Sequence, residues 1–129
     1  MATLTNQQLQ QQLIERCSKI CQLSMEASSR ELAHAFAWYC GHTNTMNAYV
    51  HPVRSVYDGV ADNPKLAEIN ARLYVYEFHS QDEQTASLLT QLERADQYIA
   101  YLDLLLAQDK PVTLEDVEGH DYRHGRVCA

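Results

Sequence analysis

KLAEINARLYVYEFHSQDEQTASLLTQLERADQYIAYLDLLLAQDK, residues 65–110, runs for 46 residues without a glycine or a proline. Those two residues are the strongest breakers of regular structure. The stretch is rich in Leu, Ala, Glu and Gln, so it leans to helix. Its second half carries Leu88, Leu92, Ala95, Ile99, Leu102 and Leu106 at alternating spacings of four and three. That is an apolar seam seeking another helix, which places Ile99 and Leu102 in a core. Upstream, Asn63 and Pro64 read as an N-cap and a first helical residue. Leu66, Ile69, Leu73 and Tyr76 follow at helical spacing. Leu73–Phe78 has high β-propensity, but the cap upstream and the want of a clear partner strand tip the reading to helix. The seam slips phase between Tyr76 and Leu88, and Ser80-Gln81-Asp82-Glu83 forms a capping box at the slip. The pattern predicts one helix over about 64–79, a break near His79–Ser80, and a longer helix over 81–108. Lys110-Pro111 stops the last one.

Working towards the N-terminus, Thr5-Asn6-Gln7-Gln8 is another capping box. Leu9, Leu13, Ile14, Cys17, Ile20 and Cys21 recur at helical spacing and predict a helix from about 6 to 27. Ser28-Ser29-Arg30-Glu31 reads as a third box. Leu32, Phe36, Tyr39, Thr43, Met46 and Val50 predict a helix over about 29–48, interrupted at Gly41 and ended by His51-Pro52. Residues 51–63 read as the loop between two halves. The fold expected is therefore all-α: one domain, 1–129, a bundle of about four main helices with more than half of its residues helical and no sheet of consequence. Residues 119–129 are expected to be a mobile polar tail.

The chain has 129 residues, 46% of them apolar, and no apolar run long enough to span a membrane. Its first residues lack the basic and apolar regions of a secretory signal. With no such signal, the four cysteines read as reduced thiols in a cytoplasmic protein. The net charge of −7 is uneven: residues 82–121 hold ten acids against Arg94 and Lys110. That balance disfavours direct contact with nucleic acid, which needs Lys and Arg on phosphates, and it suits a protein partner with a basic surface.

Catalytic signatures are weak. There is no glycine-rich phosphate loop and no nucleophile elbow, so the chain is expected not to be an enzyme, and no cofactor is implied. Cys40 with His42 stands at a spacing that points the two side chains apart on a helix. Glu31 and His34 make one E-x-x-H, whereas di-iron bundles need two. His120 and His124 have i, i+4 spacing between flanking glycines. The function expected is a small acidic helical interaction protein, a stoichiometric regulator or inhibitor of the immunity or counter-defence kind. Its partner-binding residues would be Trp38, Glu93, Asp96, Asp103, Glu115, Asp116 and Glu118. One alternative is a helical metal protein or enzyme using Glu31, His34, His120 and His124. Another is a homo-oligomeric module, with a homodimer formed through helix 81–108.

Overall fold

The computed structural model describes residues 4–55 and 64–113. Its element order is α1 (Asn6–Ser29), β1 (His34–Cys40), β2 (Thr45–His51), β3 (Ala67–Arg72) and α2 (Gln81–Gln108). The three strands form one antiparallel sheet in the order β1-β2-β3. Both helices lie on one face of it: α1 contacts β1, α2 contacts β3, and the helices pack on each other. No helix among the described residues is long and apolar enough to cross a membrane.

The helices start where the sequence caps them. Thr5 Oγ1 accepts from Gln8 N–H at 3.1 Å, and Gln8 Oε1 accepts from Thr5 N–H at 2.8 Å. Ser80 and Glu83 make the same reciprocal pair at 3.2 and 3.1 Å. Each box satisfies two donors that the first turn would leave without partners. At its far end α1 turns out through Glu31 at φ 55°, and Leu32 N–H bonds back to the Ala27 carbonyl at 3.0 Å.

The all-α bundle is overturned by the sheet. The helix expected over 29–48 is a hairpin, and the one over 64–79 is β3 followed by an extended connection and a turn. Ser28-Ser29-Arg30-Glu31 does not start a helix; Ser28 and Ser29 end one. The hairpin alternates with period two, as strands must. Ala35, Ala37 and Tyr39 pair with Val50, Ala48 and Met46 and face the helices, while Phe36 and Trp38 pair with Tyr49 and Asn47 and face away. Ala67, Ile69 and Ala71 extend the inner face; Glu68, Asn70 and Arg72 extend the outer one. Alanine, read as a helix former, serves here as a small residue that lets two helices approach the sheet. Asn44 takes φ 52° in the turn between β1 and β2, a conformation asparagine tolerates better than most residues.

The core lies between sheet and helices. Leu13, Ile20, Met46, Val50, Leu88 and Leu102 are among its buried members. The predicted seam of α2 closes this core. Leu88, Leu92, Ala95 and Leu102 are buried, and Ile99 and Leu106 are partly buried against it. The chain continues past α2 into the base of the sheet, where Val112 N–H bonds Leu32 carbonyl and Val112 carbonyl accepts from Val53 N–H, each at 2.8 Å.

Candidate functional site: an aromatic sheet face

The outer face of the sheet gathers side chains that the strands alternate away from the core. Phe36 stacks on Tyr49 with ring centroids 4.9 Å apart. Trp38 meets Tyr49 edge-on at 5.6 Å, and His51 does so at 5.0 Å. Lys65 Nζ sits 5.0 Å from the centre of the Tyr49 ring and pairs with Glu68 at 2.9 Å. In the next rung, Asn70 Nδ2 donates to Asn47 Oδ1. Arg72 closes the row and lies 6.0 Å from the ring of Tyr76. From there Tyr76, Phe78 and His79 continue as a second ring cluster, and Phe78 is 81% exposed.

Trp38 is the only tryptophan of the chain and keeps 46% of its surface exposed. An apolar side chain in that setting does little for folding, since the gain tracks the area removed from water. Lys65 and Arg72 each lie over a tyrosine ring, where the ring face attracts the cation. Around Trp38, Asn47 and Tyr49 a shallow depression of about 460 Å³ reaches Lys65, Arg72 and Arg94. His51 anchors one end of the face. Its Nδ1 lies 2.8 Å from the Pro64 carbonyl oxygen, so that nitrogen carries the proton. Burial, with smaller contributions from Lys65 and His34, holds its pKa below the ordinary value despite that bond.

The sequence-predicted partner residues divide between two layers. Trp38 is on the outer sheet face. Glu93 and Asp96 border a shallow groove between α1 and α2, on the opposite side of the molecule, with Asp96 bonded to Arg16 at 3.0 Å. Asp103 is exposed further along α2. Glu115, Asp116 and Glu118 lie outside the described residues, as do the 119–129 tail and most of the 51–63 loop. Trp38 therefore shares no surface with Glu93 and Asp96, and the helical inhibitor reading, which joined them on one bundle, does not stand.

The metal alternative fails on the same fold. Glu31 sits in a left-handed turn and His34 opens β1, so the E-x-x-H spacing never acts on a helix face. No group of three or more His, Cys, Asp or Glu able to hold a metal occurs among the described residues; His120 and His124 fall outside them. Cys40 ends β1, and its thiol pKa is lowered chiefly by hydrogen bonds from the side chain and backbone of Thr43.

Tyr49, Lys65 and Arg72 were not singled out by sequence reasoning, and Phe36 was placed on the apolar seam of an expected helix, whereas it faces away from the helices. Their signal was present as the alternation Phe36-Ala37-Trp38 against Ala48-Tyr49-Val50, visible once the segments are read with period two. No family model, no curated protein and no solved structure matches this chain.

Proposed function

We propose that this protein is a protein-binding module that recognises its partner through the outer face of the sheet, centred on Trp38, with no catalytic step of its own. One observation carries the reading. A large, half-exposed tryptophan stands edge-on to Tyr49 on a surface the core does not use. Trp, Tyr and Arg are enriched at binding hot spots, and the two aromatics give large contact area at small entropic cost. Lys65 and Arg72 at the edges of the patch suit an acidic or polar rim on the partner. The acids of α2 sit on the other layer, where Asp96 is already paired with Arg16.

The test is a comparison of variants of equal stability. The wild-type chain, Trp38→Ala with Tyr49→Ala, and Leu89→Ala on the helical layer are used to capture proteins from a lysate of the native host. The reading expects one protein in stoichiometric amount, lost with the sheet double variant and retained with Leu89→Ala. Equal capture by all three contradicts it. Single-stranded oligonucleotide is titrated alongside while Trp38 fluorescence is followed. A salt-sensitive quench would replace the protein partner with a nucleic acid, since rings interleaved with cations also stack bases. The net charge of −7 argues for no response.

A further inference from the structure

The two edges of the sheet are finished differently. At β3, Gln91 Oε1 on α2 accepts from the Arg72 N–H at 3.1 Å, and Gln10 Nε2 on α1 donates to the Leu73 carbonyl at 3.1 Å. At β1, Ser28 Oγ accepts from Ala35 N–H at 3.0 Å and donates to Ala35 carbonyl at 3.1 Å. Both peptide groups of Ala35 therefore point away from β2. Backbone groups alternate along an antiparallel strand, so those of Ala37 and Tyr39 emerge at the same edge. Among the described residues no side chain caps them as Ser28 caps Ala35. The strand there reads Ala-Trp-Tyr, with none of the lysines or prolines that blunt an edge.

At Tyr39 this edge meets a cleft at the turn end of the sheet. It lies between α1 and the hairpin, holds about 470 Å³, and is walled by Ile14, Ser18, Cys21, Tyr39, Met46 and Leu73 together with the uncharged amides of Gln7, Gln10, Gln11 and Asn44. That volume falls in the usual range for ligand sites, about 300–1,000 Å³. Ile14 and Met25 on the same flank of α1 are exposed. No Asp, Glu, Lys or Arg lines the cleft, although the chain as a whole carries −7. Burial first, and then its neighbour Cys21, push the Cys17 thiol up to about 11, and burial raises Cys21. Both thiols thus stay protonated and act as apolar wall.

We infer that an extended segment of the partner protein adds to β1 as a fourth strand, pairing with the backbone of Ala37 and Tyr39 and setting alternate uncharged, apolar side chains into the cleft against α1. This rests on the protein-binding reading and names how the partner presents itself. The charge of the site selects the occupant. A side chain entering a cleft without a counter-charge must be neutral, because burying an unpaired charge is costly. Strand addition supplies main-chain bonds for affinity and pockets at every second position for specificity. The side chains between those would lie beside Phe36 and Trp38, so one segment engages both sides of β1.

The experiment uses the full chain and a displayed library of random dodecapeptides. Selected peptides are expected to carry apolar residues at alternate positions. A synthetic copy should slow amide exchange at Ala37 and Tyr39, and methylating its alternate backbone nitrogens should abolish binding. Ser18→Trp, at an exposed position of the cleft wall, should weaken binding at least about tenfold. Peptides that bind but leave those two amides unprotected overturn strand addition while the outer-face reading stands. Failure to select any peptide also overturns it, and the outer face is then decided by the Trp38 and Tyr49 variants alone. Protection of the two amides that rises with protein concentration, without peptide, would assign the edge to a second copy and overturn the inference as well.

Discussion

The two faces of the sheet are built from the same three strands to opposite specifications. Towards the helices stand Ala35, Ala37, Ala48, Ala67 and Ala71, with Met46, Val50 and Ile69 between them. Away from the helices stand Phe36, Trp38 and Tyr49, with Asn47, Asn70, Glu68 and Arg72. Apart from Tyr39, the aromatic rings of the sheet are on the side the fold does not need. Small inner residues let α1 and α2 sit close over the strands, and the apolar volume of the core comes mainly from the helices. Bulk on the outer face is then available for recognition rather than for folding. The asymmetry also explains why a single substitution should have different consequences one residue apart.

Met46 tests the inner face hardest. It is 1% exposed, and Met46→Ala should cost about 2–5 kcal/mol through lost burial and the cavity left behind. Equilibrium denaturation checks this, and a loss under about 0.5 kcal/mol would mean that the sheet does not pack on the helices. Overfilling the same layer should be milder. Ala48→Leu should cost about 1–3 kcal/mol, because close packing leaves little room beneath two helices. If it stabilises the protein, the alanines are not there to admit the helices.

His51 is where the contrast blurs, since it points outward by register yet is 7% exposed. Its pKa is held below the ordinary value near 6.5, chiefly by burial. The unfolded chain therefore takes up the proton more readily. The stability linked to His51 is fully present above about pH 6.5 and is lost as pH falls through the lower folded value. Stability measured from pH 7.5 to 5 should decline more steeply in the wild type than in His51→Gln. Parallel curves would remove His51 from the account. The smallest effect is expected at Trp38. Trp38→Ala should change stability by no more than about 1 kcal/mol, the worth of its edge contact with Tyr49, while abolishing partner capture.

The helices were legible because their starts are written locally. Thr5 with Gln8 and Ser80 with Glu83 bond as the capping boxes predict, and α2 occupies 81–108 as its seam requires. The strands were hidden by two ambiguities. Leu32, Phe36, Tyr39, Thr43, Met46 and Val50 satisfy a four-three spacing, Ala35–Cys40 is a continuous apolar run with no polar alternation to mark a strand, and its alanines imitate helix propensity. Only tertiary context, the need to seat two helices, separates the readings. In 64–79 the strand is Ala67–Arg72, which alternates cleanly, and not Leu73–Phe78, which has the higher β-propensity. Of the candidate site, only Trp38 stood among the residues the sequence assigned to partner binding. Its neighbours Tyr49, Lys65 and Arg72 did not, because pairing across β1, β2 and β3 joins residues far apart in sequence.

Because Trp38 is the only tryptophan, its fluorescence reports on the outer face and nothing else. Acrylamide quenching of the native protein, set against the chain unfolded in denaturant, tests the division between the two faces most directly. The account predicts that native Trp38 is quenched readily, at a substantial fraction of the unfolded rate, and that its emission lies to the red as for an indole in contact with water. A blue emission that acrylamide scarcely quenches would bury Trp38 in a core and contradict an open aromatic face.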